Sequence, residues 1–194
     1  MDTCDAPYSR RIVVGITGAS GVVYGMETLK ALKGLGYESH VVLSEGAVRN
    51  FAIETSYSVE DVRDASGRLY DESDLAAPIA SGSFLTLGMV VIPCTMKTLS
   101  AITHSYGANL LTRAADVTLK ERRTLVLVVR ETPLHRGHLE LMLAAAKLGA
   151  VILPPIPAFY HKPATIEDIV LQTVGKALDC FRIEHDIFRR WNGA

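Results

Sequence analysis

The sequence predicts an α/β protein: a doubly wound, Rossmann-like parallel sheet of the flavoprotein type with helices on both faces, folded as a single domain over residues 1–194. Three observations carry this prediction. Short runs rich in Val, Ile and Leu alternate with longer stretches of helical periodicity, the pattern of βαβ units. The first apolar run leads directly into a glycine turn and a helix start, Gly15-Ile-Thr-Gly-Ala-Ser-Gly21. The length of 194 residues, 48% of them hydrophobic, suits one compact domain with a sizeable core.

Strands are expected at 11–16, 38–43, 89–92, 124–129 and 151–153, each short and β-rich, as strands buried on both faces tend to be. Helices are expected at 22–35, 45–55, 97–105, 108–122, 137–148 and 166–181. In such sheets ligands lie beyond the carboxyl ends of the strands, so the informative residues should follow each strand.

The turn after the first strand gathers backbone N–H groups and the positive end of a helix dipole, which favours an anion without a charged side chain. A P-loop would place Lys next to the closing Ser or Thr, but here Ser20 is followed by Gly21. A dinucleotide fingerprint would read G-x-G-x-x-G, whereas Gly15, Gly18 and Gly21 are three apart. Two readings stay open: a site for a phosphorylated cofactor other than ATP or NAD, and an ordinary βα turn with a helix cap.

After the second strand, Ser44 stands at a helix N-cap, where its hydroxyl can serve the backbone or a phosphate. After the third, Pro93-Cys94-Thr95-Met96-Lys97-Thr98 sets two hydroxyls and a cation at another helix start, a second anion site or again a simple cap. Cys94 has no His at a recognisable spacing and reads as a core filler. The helix at 108–122 carries Arg113, Asp116 and Lys120 on one face. A solvated salt-bridge ladder is one reading; apolar residues around most of the circumference favour the other, buried cations that want an anionic partner such as phosphate. After the fourth strand, Arg130 suits a phosphate or carboxylate and Glu131 a proton transfer, with a structural ion pair as the competing view. After the fifth, four prolines between Pro154 and Pro163 stiffen an apolar loop that reads as a pocket wall. Tyr160 stands at its edge, and Lys176 on the following helix is within reach.

The remaining composition excludes other classes. A formal net charge of −1 with no basic patch argues against nucleic acid. No apolar stretch nears the roughly 18 residues of a membrane helix, and no signal-peptide core precedes residue 11, so a cytoplasmic protein with no membrane partner is expected. Cys4, Cys94 and Cys180 form no disulfide framework, and His135 and His138, read as solvated or capping, form no metal motif; no metal is expected. Residues 1–10 read as an N-terminal tail and 182–194 as a C-terminal one.

Gly15–Gly21, Ile92-Pro-Cys-Thr-Met-Lys-Thr98, the run from Arg113 to Arg123, Val129-Arg-Glu-Thr-Pro-Leu134 and Pro154-Pro-Ile-Pro-Ala-Phe-Tyr160 together resemble the flavin prenyltransferases of the UbiX/Pad1 type. The likeness runs in order over nearly the whole chain, and the Pro-Ala-Ser-Ala-Asn-type segment of the related flavin-dependent cysteine decarboxylases is missing. The resemblance implies transfer of a dimethylallyl group from dimethylallyl phosphate to N5 and C6 of reduced FMN, without metal. The product, prenylated FMN, would serve a UbiD-type decarboxylase. Alternatives are an FMN-dependent aromatic-acid decarboxylase and a non-catalytic flavin carrier.

By matching position, the resemblance implies flavin contacts at Gly18, Ala19, Ser20, Ser44, Thr95, Met96, Lys97, Thr98 and Arg130. It implies prenyl-phosphate contacts at Arg113, Lys120, Tyr160 and Lys176, with catalytic roles for Glu131, Ser20, Glu54 and Lys120. Glu131 would move a proton, and Ser20 would orient the ring near N5. Lys176 replaces the Arg of many relatives, and Leu75 stands where some place an aromatic residue against the prenyl group. The resemblance also implies a homo-oligomer, commonly a dodecamer, with shared sites and the C-terminal tail around Trp191 close to a neighbouring subunit.

Overall fold

In the computed structural model, which describes residues 10–191 and Gly193, six parallel strands form one sheet. They are β1 (Arg11–Ile16), β2 (Glu38–Leu43), β3 (Arg68–Tyr70), β4 (Gly88–Cys94), β5 (Thr124–Val129) and β6 (Val151–Ile152), in the order β3-β2-β1-β4-β5-β6. The helices are α1 (Val22–Gly34), α2 (Glu45–Glu54), α3 (Val59–Ala65), α4 (Met96–Thr103), α5 (Leu110–Lys120), α6 (Arg136–Lys147) and α7 (Ile166–Asp179). Among the described residues, no helix is long and apolar enough to cross a membrane.

Alternation along the strands builds two cores. Ile12, Val14 and Ile16 with Val90, Ile92, Val126 and Val128 face α1 and α7, while Val13, Met89, Val91, Leu125 and Leu127 face α4 and α5. These side chains are almost wholly buried, each burial contributing about 1.5–3 kcal/mol, and that is why the inner strands are continuously apolar.

Two elements escape the sequence pattern. β3 has three residues and carries Arg68 at the sheet edge, where strands are short and polar. α3 opens on a capping box between Ser58 and Asp61, a signal that was present in the sequence. β4 runs on through Pro93 because a bulge between Val91 and Cys94 removes the need for an N–H there. Residues 1–9 of the expected N-terminal tail, Cys4 among them, and Asn192 and Ala194 at the other end lie outside the described residues. Of the C-terminal tail, Phe188 packs on Gly175 of the same chain's α7, and the Gly175 carbonyl lies 3.0 Å from His185 Nε2.

The burial expected for the cations of α5 is corrected. Leu110, Leu111, Ala114, Ala115 and Val117 are buried, but Arg113 pairs with Asp116 at 3.0 Å and donates to the Ala80 carbonyl, and Lys120 pairs with Glu121. Arg113 and Asp116 keep 38% and 29% of their side-chain surface exposed, and Lys120 and Glu121 keep 46% and 34%. Helical spacing fixes which residues share a face but not where that face points, and the apolar face claims the sheet.

Candidate functional site

The strand order reverses between β1 and β4, and there the two following loops part. Thr17, buried in the first loop, ties them together: its hydroxyl donates to the Pro93 carbonyl at 2.8 Å and accepts the Thr95 N–H at 2.9 Å. Ser44 N donates to the Ile16 carbonyl and Arg130 N to that of Cys94, so all four strand ends form one rim.

Residues 17–21 separate two cavities on this rim. One, of about 1140 Å³, is bordered by Gly18, Ser44, Thr95, Lys97 and Thr98. Ser44 caps α2 by accepting the Ala47 N–H, and Thr95 caps α4 by accepting that of Thr98, so both hydroxyls do the capping read from the sequence while facing the cavity. The start of α4, the hydroxyls of Ser44, Thr95 and Thr98 and the exposed Lys97 amine border this cavity, a donor set that suits a phosphate monoester. Glu45, Asp71 and Glu72 line it too, and the Glu45 N–H at the start of α2 donates to Glu72 Oε2 at 3.2 Å. Gly18 is required by close approach: a Cβ there would stand 2.8 Å from the Gly46 Cα, backbone against backbone. Asn50 fixes the same turn by donating to the Gly18 carbonyl.

The other cavity, of about 780 Å³, gathers Ser20, Tyr24, Glu54, Arg130 and Glu131 against a wall of Pro154, Pro155, Ile156 and Pro157, as the proline loop predicts. Glu54 Oε2 accepts the N–H of Gly21 at 2.7 Å and lies 3.4 Å from that of Val22. The positive end of α1, expected to hold an anionic ligand, therefore already holds a carboxylate. Glu131 Oε1 accepts the Thr132 N–H, and its side chain is exposed, as is that of Arg130. Burial raises the Tyr24 phenol above its usual range, and the nearby Arg130 charge opposes this.

The expected flavin contacts are thus divided between the two cavities, with Ala19 and Met96 packed behind them, Ala19 buried and Met96 against the core. Tyr160 and Lys176 border neither cavity. The Tyr160 ring meets Trp191 edge-on at 5.8 Å. Lys176 lies 3.4 Å from Asp179, which also takes two hydrogen bonds from Arg190 at 2.7 and 3.1 Å. The Arg190 hydrogen bonds hold the Asp179 carboxyl below the usual carboxylate range. Arg113 and Lys120 also border neither cavity.

Cys94 is buried, and burial pushes its thiol up to about 12, which fits a core filler rather than a nucleophile. His135 caps α6 by accepting the Gly137 N–H. Among the described residues, no three His, Cys, Asp or Glu side chains group to hold a metal ion. Sequence reasoning missed Thr17 and Tyr24; each lies within or beside the glycine turn, and that proximity was the available signal.

The flavoprotein family profile matches residues 5–178. The chain is 54% identical over 188 residues to the flavin prenyltransferase UbiX of Escherichia coli (strain K12), covering 95% of this chain and all of that one. A crystal structure of AnUbiX (PadA1) with FMN and dimethylallyl pyrophosphate superposes with a TM-score of 0.94 at 49% identity, covering 96% of this chain and 99% of that one. A dodecameric structure from Escherichia coli O157:H7, named an FMN-dependent UbiX-like decarboxylase, superposes at 0.92 with 48% identity, covering 94% and 100%.

Proposed function

This chain belongs to the flavoprotein family, among its flavin prenyltransferases, and we propose that it joins the dimethylallyl group of dimethylallyl phosphate to N5 and C6 of reduced FMN without a metal ion. The observation that carries this reading is the pairing of a hydroxyl-rich double helix start with an adjoining cavity that sets Arg130, Glu131 and Glu54 against an apolar wall.

The residues fit the flavin. Thr95, Lys97 and Thr98 at the start of α4, with the Ser44 hydroxyl beside them, would hold its phosphate, because the starts of α1 and α2 already donate to Glu54 and Glu72. Ser20 and Arg130 would then meet the ring in the smaller cavity. When bound, reduced flavin supplies the nucleophilic N5 and C6. One allylic carbon would bond to N5 as the C–O bond breaks and phosphate leaves with the electron pair, so cations must meet the developing charge. A second would bond to C6 as the alkene opens and its middle carbon gains a proton; the protons lost from N5 and C6 balance that one and the one phosphate takes. Glu131 moves a proton between C6 and the departing phosphate, and Ser20 orients the ring.

Tyr160 and Lys176 would supply phosphate donors as the resemblance implies, although neither borders a cavity of its own chain. Arg113 and Lys120, which border neither cavity of their own chain, reach the site of a neighbouring copy in a homo-oligomer. The dodecameric assembly of the Escherichia coli O157:H7 relative supports this. A UbiD-type decarboxylase would receive the product.

Incubating the chain with reduced FMN and dimethylallyl phosphate should yield a new flavin species with equimolar inorganic phosphate. Carbon dioxide release from an aromatic acid by this chain alone, with no flavin product, would overturn the reading in favour of a decarboxylase.

A further inference from the structure

We propose that Tyr24 is a further substrate-positioning residue, the aromatic wall against which the five-carbon allylic group lies. The inference rests on the prenyltransferase reading of the site and assigns a residue that the resemblance does not.

Of the described residues lining the smaller cavity, Tyr24 alone is aromatic. Leu75, where some relatives carry an aromatic residue, is 52% exposed and does not border this cavity. The acidic and basic groups of the site, Glu54, Arg130 and Glu131, share the space with this one ring.

The Tyr24 ring is also held in place. A Cβ at Gly21 would stand 2.8 Å from its Cδ2 and 2.9 Å from its Cε2, so the ring lies directly over a turn that only glycine, at φ +102°, allows. Tyr24 N donates to the Gly21 carbonyl at 3.0 Å, and the Thr28 hydroxyl donates to the Tyr24 carbonyl at 2.7 Å. The same Gly21 gives its N–H to Glu54. One residue therefore sets both the carboxylate and the ring, which fixes their relative position before any substrate arrives.

The chemistry of the step gives the ring its role. As the C–O bond breaks, phosphate takes the electron pair and positive charge spreads over the allylic carbons. A π-face attracts such charge, and an apolar five-carbon chain packs well on an aromatic surface. Arg130, whose charge acts on the Tyr24 phenol, lines the same cavity and supplies a cation for the anionic leaving group.

The test compares Tyr24→Leu and Tyr24→Phe with the wild-type chain in the prenylation assay, alongside flavin affinity by fluorescence. Tyr24→Leu should lower kcat/KM for dimethylallyl phosphate by about tenfold or more, through both KM and kcat, while flavin affinity stays within about twofold. Tyr24→Phe, which keeps the ring, should recover most of that loss and also guard against misfolding of the Leu variant. An unchanged kcat/KM in Tyr24→Leu would overturn the inference. So would a loss in Tyr24→Phe equal to that of Tyr24→Leu, which would assign the effect to the hydroxyl, or a parallel loss of flavin affinity, which would make the ring a flavin support. If the wild-type chain itself forms no prenylated flavin, the functional reading fails instead, and the two failures are distinguishable.

Discussion

The carboxylate of Glu54, at the last residue of α2, closes the first turn of α1 by accepting the Gly21 N–H at 2.7 Å. A sequence motif that advertises an anion site is thus satisfied from within the chain. Replacing Glu54 by Ala should remove that cap and cost about 1 kcal/mol in denaturant unfolding. Glu54→Gln keeps an acceptor and should cost less than Ala does. Both should lose turnover if the carboxylate also acts in catalysis, and retained turnover in Glu54→Gln would reduce Glu54 to a cap.

Glu131→Gln should lose turnover while keeping flavin affinity, because its carboxylate borders the smaller cavity and the phosphate-type donors lie in the other. Single-turnover assays with reduced FMN check the first half and fluorescence titration the second. A variant that retains full turnover would remove Glu131 from the proton path.

Arg113→Ala and Glu131→Gln should complement each other when the two variants are mixed and reassembled. On the proposed shared site each variant would lack a different half, so hybrid oligomers should regain intact sites and activity should rise above that of either variant alone. Absence of any recovery in verified hybrids would place Arg113 within its own chain's site.

Gly18→Ala should destabilise the fold by about 1–3 kcal/mol, since the added methyl meets the Gly46 backbone and no flexible side chain can give way. Thermal unfolding measures this directly, and a shift within error would show that α2 can move aside.

His40 provides a pH dependence. Its ring is buried on β2, with Nδ1 2.8 Å from the Tyr70 hydroxyl, and burial lowers its pKa below 6.5 despite Glu38 at 3.4 Å; Arg11 and Arg68 push the same way as burial. The unfolded chain therefore binds the proton first as pH falls. Stability from this group is intact above about 6.5 and declines below it until the folded pKa is reached. The melting temperature should fall on acidification from pH 7 to 5, and His40→Gln should flatten that slope.

Much was legible in the sequence where the physics is local. Valine- and isoleucine-rich runs buried on both faces, the cap residues Ser44 and Thr95, and the stiff proline wall follow from spacing and side-chain chemistry over a few residues. The short edge strand at Arg68 was not legible, because three residues with a charge carry too little pattern. Neither was the orientation of the Arg113 and Lys120 face, since periodicity does not record direction.

By itself the sequence determined the class of fold, the strand ends where chemistry gathers and the family. Only the tertiary structure decided which of two anion-binding turns is free. Glu54 lies 33 positions from Gly21, and their meeting depends on how α1 and α2 pack on the sheet. The helix dipole behind the glycine turn faces the Glu54 carboxylate, and the start of α2 likewise donates its Glu45 N–H to Glu72, which leaves the start of α4 as the open one.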